Sequence, residues 1–414
     1  MTVHFLHTSD WHLGQFFYGH SRQYEHEQFL AWLLEQIAQQ QPHALLIAGD
    51  LFDVINPASS AQKQLYQFLA DAHQRAPHMQ TLMIAGNHDS GYRIEQVEPL
   101  LEKYNAKTVG IVHWNADRTL DFDRLIIPIH DAQGQIVAWC VALPFLRPAE
   151  ITGYNEATAD TSRAIEYIHQ RVIAEAKARK SPEQALILMT HAHLQGAETS
   201  DSERQIVIGN QEALSTQLFG DEVDYVALGH LHKPQKVQHE HIRYSGAPIP
   251  LSFSEIHYPH QVLNIHIQPQ QQQKLAIEKL PIPRTIPLYR LAGELDEVLQ
   301  QLRDLPNGAA QAIDQRAFVD IEYFSLKPPP PDLRLQIEKL LPEQQYRLVR
   351  ISRKLVNTDP TANTTSKIDL APPTPESLFH DLWEKMGYEQ DPEVMQDFLT
   401  LLDEANDALH PTEP

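Results

Sequence analysis

Cysteine is almost absent from this chain of 414 residues, because Cys140 is the only one. A single cysteine excludes an intrachain disulfide and favours a reducing compartment. Long apolar runs are missing too: no stretch reaches the roughly 20 residues that span a bilayer. The apolar run at the N-terminus is too short for a signal peptide. We therefore expect a cytoplasmic protein that does not enter the membrane.

Positive charge is also scarce. The chain has 33 Lys and Arg residues against 54 Asp and Glu residues, which gives a formal net charge of -21. This disfavours a protein that coats nucleic acid with a broadly basic surface, since such binding depends on local positive charge. The surplus is uneven, because residues 371–414 hold 11 acidic residues and one basic residue. The body of the chain is only mildly acidic, and bound divalent cations would offset part of that charge.

The first 270 residues alternate between short apolar runs and helical patterns. We predict strands at residues 3–7, 44–48, 81–85, 185–189 and 223–228, a hairpin at 125–143, and helices at 22–40, 59–75, 93–104 and 160–179. A β-α-β alternation of this kind predicts parallel strands with helices on their faces. In such sheets ligands bind outside the carboxyl ends of the strands.

Polar side chains follow five of these predicted strands. They are Asp10 and His12, Asp50, Asn87 and His88, His191, and His230 and His232. We expect these strand ends to meet at one rim of one sheet. Each residue alone would more often be an ordinary polar loop residue, but eight at consecutive strand ends make coincidence improbable. Mixed carboxylate, amide and imidazole groups suit divalent ions such as Mn²⁺, Fe²⁺ or Zn²⁺.

The order of these motifs resembles that of the calcineurin-like metallophosphoesterases. Its elements are Asp-x-His, Gly-Asp-x-x-Asp, Gly-Asn-His-Asp, a strand-end His and Gly-His-x-His. Within that superfamily, four stretches are similar to the SbcD-like nuclease subunits of bacterial SbcCD complexes: Thr8 to Gly14, Gly49 to Asp53, Gly229 to His232 and Tyr244 to Phe253. The resemblance implies an α/β fold with a layered β-sheet core of the metallophosphoesterase type and flanking helices. It also implies a small α+β capping domain and C-terminal helices.

The resemblance also implies a two-metal site, most simply with Mn²⁺. One ion would be held by Asp10, His12, Asp50 and His232, and the other by Asp50, Asn87, His191 and His230. His191 is preferred to His193 because it comes first after its strand. His88 would act on the phosphate as the catalytic residue rather than bind metal. Asp53 and Asp89 would orient histidines, with simple loop capping as an equally weighted alternative.

The chain divides into four predicted segments. They are a nuclease domain (1–275), a small α+β capping and DNA-binding domain (281–356), a linker rich in Thr, Asn, Asp and Pro (357–374), and two amphipathic helices (375–414). The apolar stripes of these last helices need a surface to dock on. They could fold back on the chain's own body. The resemblance instead places them on an SbcC-like coiled-coil ATPase, in a heterotetramer that contains a homodimer of this chain.

Metal chemistry alone gives phosphoester cleavage without naming the substrate. We expect a DNA exonuclease and endonuclease that acts on duplex ends and hairpins in DNA repair and recombination. Candidate phosphate contacts are Arg22, Arg93, Lys233, Arg243 and Arg284, each weak alone since most surface cations are simply solvated. The alternatives are a stand-alone nucleotide phosphodiesterase or phosphatase, and a non-catalytic scaffold. A scaffold would be expected to have lost ligands or His88, and none is missing.

Overall fold

The computed structural model describes residues 2–151, 161–200, 203, 213–271, 274–307, 309–325, 329–342, 344–354, 379 and 394–399. Its strands are β1 (Val3–Thr8), β2 (Phe16–Phe17), β3 (His20–Ser21), β4 (Ala44–Ile47), β5 (Gln80–Ile84), β6 (Ala106–Val109), β7 (Ile126–His130), β8 (Ile136–Leu143), β9 (Ala185–His191), β10 (Tyr225–Gly229), β11 (Gln235–Val237), β12 (His239–Tyr244), β13 (Gln261–Ile267), β14 (Leu275–Pro281), β15 (Leu288–Glu294), β16 (Ala317–Phe324) and β17 (Tyr346–Lys354). Its helices are α1 (Gln23–Gln40), α2 (Ser59–Arg75), α3 (Gly91–Glu95), α4 (Glu98–Leu101), α5 (Phe122–Leu125), α6 (Pro148–Ile151), α7 (Thr161–Arg179), α8 (Leu295–Arg303) and α9 (Leu333–Leu340).

Two six-stranded sheets form the first part of the molecule. The first has the order β14-β13-β1-β4-β5-β6, and the second has the order β11-β12-β10-β9-β8-β7. The strands β1, β4, β5 and β6 are parallel to one another, as are β8, β9, β10 and β12. The prediction that all the polar strand ends lie on one sheet is therefore wrong. Three of the strands belong to the first sheet and two to the second.

The alternation of side chains along β1 explains the layers. Val3 and Phe5 face a core shared with the second sheet, whereas Leu6 faces α1 and α2 on the opposite side. Successive residues of a strand point to opposite faces, so a strand that is apolar on both faces is covered on both. Helix α7 closes the far side of the second sheet through residues such as Ile168 and Val172. The result is a helix–sheet–sheet–helix arrangement.

The predicted helix at residues 93–104 is wrong as a single element. The segment instead forms α3, α4 and a 3₁₀ turn at Glu102–Tyr104. Pro99 stands in the first turn of α4. Proline lacks the backbone N–H that a continuing helix needs, but it is tolerated in a first turn. The chain therefore ends one helix before this proline and begins the next at Glu98.

A smaller three-stranded sheet follows, in the order β15-β16-β17, with every strand parallel to its neighbour. Its own core includes Val298, Ile321 and Ile337. A separate cluster joins it to the first part of the chain, where Phe318 packs with Phe17 and Phe253. Residues 1–356 form one compact unit, and residues 357–414 form a second. We refer to residues 288–354 as the small domain.

The predicted linker and most of the two predicted C-terminal helices lie outside the described residues. Within this second unit residues 394–399 are helical, and the rings of Phe379 and Phe398 stack with centroids 4.0 Å apart. Among the described residues, no helix combines the length and apolar character that crossing a membrane requires.

Candidate metal centre

The polar strand ends come together where the carboxyl ends of the two sheets face the same side. Four of these residues have left-handed backbone conformations, with φ values of 55° at Asp10, 47° at His12, 50° at Asp50 and 105° at His230. Such conformations are uncommon for residues other than glycine and cluster at functional sites. They turn the chain sharply off each strand, so that the side chains point at a common centre.

Glycines allow the loops to approach closely. A Cβ atom on Gly86 would lie 2.1 Å from Oδ1 of Asp50, and one on Gly229 would lie 1.8 Å from the carbonyl oxygen of Ala48. Neither residue could carry a side chain without moving the backbone. Close approach, rather than a left-handed turn, is therefore the reason for glycine at both positions.

Asp50 lies at the middle of the cluster. Its Oδ2 is 3.5 Å from Nε2 of His12 and 3.5 Å from Nε2 of His191, and its Oδ1 accepts a 2.8 Å hydrogen bond from the backbone of His88. Asp10 is fully buried and accepts a hydrogen bond of 2.9 Å from the backbone N–H of His230. The two carboxylates thus come from adjacent strands of the first sheet and contact residues of both sheets.

Asn87 contacts the histidines of the second sheet. Its Oδ1 lies 3.0 Å from Nε2 of His191 and 3.2 Å from Nδ1 of His230. His193, the alternative to His191, is half-buried, and its ring centroid is 6.3 Å from that of His230. The contact of His191 with both Asp50 and Asn87 supports the choice of His191.

Three sets of side chains offer ligand atoms that all lie within 4.8 Å of one another: Asp10, His12 and His232; His12, Asp50 and His88; and Asp10, Asp50 and His191. Within the part of the chain that the structure describes, Nε2 of His12 is buried and makes no hydrogen bond. A buried, unpaired nitrogen is costly unless something binds it. The carboxylate, amide and imidazole donors are those that divalent transition ions accept. The residues present therefore fit a divalent metal.

Burial and mutual attraction shift the pKa values of this cluster. Burial favours the neutral form of Asp50, but neighbouring His191 and His12 hold its pKa well below the usual range. Burial raises the pKa of Asp10. Burial opposes the charge of His191, but Asp50 outweighs it and raises the pKa of His191 to about 9. The buried carboxylates therefore attract positive charge, which protons on the histidines or metal ions can supply.

Hydrogen-bond partners of Nδ1 orient three of the histidines. Nδ1 of His12 lies 3.2 Å from Oδ1 of Asp53, and Nδ1 of His191 lies 2.9 Å from the carbonyl oxygen of Ala48. Nδ1 of His232 lies 2.9 Å from Oε1 of Glu255. Partners of this kind fix the ring and leave Nε2 to face a metal.

Glu255, which orients His232, was not predicted from the sequence. Its carboxylate is fully buried and also accepts a 2.8 Å hydrogen bond from the backbone of Leu251. Burial opposes the charge of His232, but the hydrogen bond with Glu255 raises the pKa of His232 to about 9. The only signal in the sequence is an acidic residue two positions beyond the Tyr244 to Phe253 motif, which is too common a pattern to single it out.

Asp89 contacts backbone rather than histidine. Its carboxylate accepts hydrogen bonds from the N–H groups of Leu51 (3.0 Å), Phe52 (2.9 Å) and Gly86 (2.9 Å). Burial, reinforced by the charge of Asp50, raises the pKa of Asp89 to about 6. These bonds connect the loop after β4 to the loop after β5. They are the contacts expected if Asp89 caps loops, which was the alternative to orienting a histidine.

Arg147 holds the same loop from the other side. Its Nη2 donates to the carbonyl oxygens of Asp89 at 2.6 Å and Gly86 at 3.2 Å. Arg147 was not predicted from the sequence because it follows the hairpin, far from every motif. Its effect is to fix the loop that carries Asn87 and His88.

His88 lies at the mouth of the cluster. Its Nδ1 donates to the carbonyl oxygen of Asp53 at 2.8 Å, which directs the other edge of the ring away from that loop. The ring lies 4.7 Å from that of His12, in an edge-to-face arrangement. Both histidines line an open cavity of about 320 Å³ together with His232. His88 is therefore placed to meet a molecule that enters this cavity.

The five candidate phosphate contacts differ in their surroundings. Arg22 is fully buried and paired with Glu25, Arg243 is buried and paired with Glu240, and Lys233 is paired with Glu198. Arg93 and Arg284 are exposed, although Arg284 also donates to the carbonyl oxygen of Ile256. Only the last two present a guanidinium group at the surface in this structure.

Comparison with known proteins agrees with this geometry. A family model described as calcineurin-like phosphoesterase matches residues 3–234, and SbcD_C, described as the type 5 capsule protein repressor C-terminal domain, matches residues 284–387. The SbcD subunit of the SbcCD nuclease of Rhodobacter capsulatus is 35% identical over 385 residues, which cover 90% of this chain and 93% of the relative.

Two further relatives carry the same name. The SbcD protein of Escherichia coli K12 is 35% identical over 84% of this chain and 85% of the relative. That of Bacillus subtilis is 29% identical over 77% of this chain and 78% of the relative. The resemblance inferred from the motifs is confirmed. The chain belongs to the calcineurin-like phosphoesterases and, within them, to the SbcD family of SbcCD nuclease subunits.

Proposed function

We propose that this chain cleaves phosphodiester bonds of DNA at a centre of two manganese ions, as the nuclease subunit of an SbcCD-type complex. The observation that carries the proposal is the convergence of buried carboxylates and imidazoles from both sheets, with the half-buried amide of Asn87, beside an open cavity that His12, His88 and His232 line. The names of the relatives support the nuclease reaction. They favour it over a stand-alone nucleotide phosphodiesterase or phosphatase, which is the second candidate.

Seven residues would hold the two metal ions. We assign Asp10, His12, Asp50 and His232 to one ion, and Asp50, Asn87, His191 and His230 to the other. Asp50 is shared because its Oδ2 lies equally far from Nε2 of His12 and Nε2 of His191. When bound, two divalent ions activate water and stabilise the charge that develops on a phosphate during in-line displacement. Manganese is proposed because imidazole and carboxylate groups are mixed in both ligand sets.

His88 would act on the substrate itself. The carbonyl oxygen of Asp53 accepts a hydrogen bond from Nδ1 of His88, so this nitrogen carries the proton when the ring is neutral. The ring lines the cavity, where a protonated imidazole can donate to the leaving oxygen. Imidazole suits this role because its ordinary pKa lies near neutral pH. Asp53 thus supports both His12, through its carboxylate, and His88, through its backbone.

Substrate contacts would come from exposed cations and from the small domain. Arg93 and Arg284 are the candidates that this structure leaves at the surface. The small domain lies against the first part of the chain through Phe318, beside the loop that contains Phe17. We propose that it caps the centre and helps to hold a duplex end or hairpin. We further propose that the C-terminal helices dock on an SbcC-like coiled-coil ATPase, with a homodimer of this chain in the assembled heterotetramer.

The test is cleavage of a hairpin-ended DNA duplex with Mn²⁺, with and without the ATPase and ATP. We expect His88→Ser to abolish cleavage while calorimetry still finds two Mn²⁺ ions per chain. His193→Ser, which removes a neighbouring imidazole outside the proposed ligand set, is the matched control and should keep both properties. Loss of metal in His88→Ser would show that His88 is a ligand. Efficient hydrolysis of small nucleotides without any cleavage of DNA would favour the second candidate.

A further inference from the structure

A hairpin at the mouth of the cavity exposes two aromatic rings. It consists of β2 and β3, and Phe16 and Tyr18 on it are 65% and 46% exposed. Aromatic side chains are usually buried, because each ring carries a large apolar surface. Two neighbouring exposed rings therefore indicate a surface that binds a partner.

The backbone of the hairpin explains why these rings stay exposed. Tyr18 and Gly19, the two residues between the strands, have φ values of 49° and 80°. Two successive residues with positive φ are the requirement of a type I′ turn, which fits the twist of a short hairpin. Neighbouring side chains on a strand point to opposite sides, so Phe16 points away when Phe17 is buried. The local fold therefore presents Phe16 instead of hiding it.

Phe17 anchors the hairpin. Its ring centroid lies 5.3 Å from that of Phe253 and 5.0 Å from that of Phe318 in the small domain. Tyr18 is braced by the same cluster, with its centroid 5.9 Å from that of Phe253. The exposed rings thus stand on a rigid base between the two parts of the fold. A rigid aromatic side chain loses little conformational freedom when it binds a flat ligand.

Phe16 and Tyr18 line the same cavity as His12, His88 and His232. A phosphodiester that reaches His88 would therefore bring its neighbouring nucleoside to the two rings. Every nucleobase has a flat face, and stacking on aromatic side chains is a general way to bind unpaired bases. Stacking also needs no positive charge, which suits a chain of net charge -21 whose candidate cations are largely paired.

We propose that Phe16 and Tyr18 form a stacking platform for an unpaired nucleobase next to the phosphate that is cleaved. The base would come from a frayed end or a hairpin loop, because a base inside a duplex already has both faces covered. This inference rests on the proposed nuclease function and adds a determinant of substrate choice. The platform would bind any unpaired base irrespective of sequence, because the rings contact the flat face of the base and not its hydrogen-bonding edge.

The test pairs variants with abasic substrates. After the cleaved bond has been mapped, the nucleotide next to it is replaced by a tetrahydrofuran abasic residue, and kcat/KM is measured with Mn²⁺. We expect the wild-type enzyme to cleave the abasic strand roughly 5- to 100-fold more slowly, the range that stacking of one base covers. Phe16→Ala and Tyr18→Ala should slow cleavage of the normal strand similarly, with little further loss on the abasic strand.

Two control variants isolate the aromatic face. Tyr18→Phe keeps the ring and should show the same ratio of kcat/KM on normal and abasic strands as the wild-type enzyme. Ile55→Ala removes another exposed apolar side chain, 60% exposed and two residues beyond Asp53, and should cleave both strands normally. The stacking proposal is overturned if the wild-type enzyme cleaves normal and abasic strands equally fast. It is also overturned if Phe16→Ala slows both strands by the same factor. Failure to cleave either strand would overturn the proposed function as well.

Discussion

Replacement of Arg22 by alanine should destabilise the fold strongly. The guanidinium group is fully buried at the start of α1, pairs with Glu25, and donates a 2.9 Å hydrogen bond to the carbonyl oxygen of Pro250. Its Cζ atom also lies over two aromatic rings, 4.9 Å from the centroid of Phe17 and 5.5 Å from that of Phe318. Removal would leave the carboxylate of Glu25, 4% exposed, buried without its charge partner. Breaking a buried pair in this way costs about 3–5 kcal/mol.

Denaturant unfolding followed by tryptophan fluorescence measures this loss, because Trp11 is buried against Phe29 of the same helix. The matched control is Arg22→Met combined with Glu25→Leu, which removes both charges and should cost much less than Arg22→Ala alone. DNA affinity of each folded variant is measured in parallel. A loss of stability below about 1 kcal/mol, accompanied by weaker DNA binding, would refute a structural role and restore Arg22 as a phosphate contact.

Three other outcomes are expected. Glu255→Gln should weaken Mn²⁺ binding by about 10- to 100-fold in calorimetry, because Glu255 orients His232, whereas the exposed Glu198→Gln should not. Mn²⁺ at 100 times its dissociation constant should stabilise the folded chain by about 2.7 kcal/mol, and EDTA should reverse the shift in melting temperature. Burial lowers the pKa of His7 from 6.5 to about 3. The free energy of unfolding is therefore full above pH 6.5 and decreases as the pH falls, with a loss of about 2 kcal/mol at pH 5. In denaturant unfolding measured at several pH values, His7→Gln should reduce this dependence of the free energy of unfolding on pH.

The convergence of the candidate ligand side chains was predictable because each one lies at or just beyond the end of a strand. An apolar run that ends in glycine and polar residues predicts the end of a strand without knowledge of the tertiary structure. Parallel strands bring such ends to the same side of a sheet. The division of the strands between two sheets could not be predicted from the sequence. Pairing of β1 with β4 and of β9 with β10 depends on which helix crosses which face, and the local pattern of Ile187 or Leu46 is the same in either sheet.

The residues that support the cluster were harder to predict than the candidate ligands. Glu255 and Arg147 act through contacts between segments distant in sequence, and neither belongs to a repeated pattern. Asp89 and Asp53 were predicted as acidic residues next to candidate ligands in the sequence, but the packing of the loops determines their hydrogen-bond partners. Asp53 reaches His12 because the loop after β4 runs beside the loop after β1, whereas Asp89 lies beneath both Leu51 and Gly86. Proximity in sequence identified the residues, and packing decided what each one contacts.

The hairpin of Phe16 and Tyr18 shows why exposure is the hardest property to predict. Three successive aromatic residues, Phe16 to Tyr18, predict a buried segment from composition alone. Only Phe17 is buried, because the small domain supplies Phe318 to cover it from about 300 residues away in sequence. Arg347, the partner of Phe318 on the neighbouring strand β17, lies over the same ring, with its guanidinium carbon 3.6 Å from the ring centroid. The position of the small domain therefore determines both the shape of the cavity mouth and the rings that a substrate would meet there.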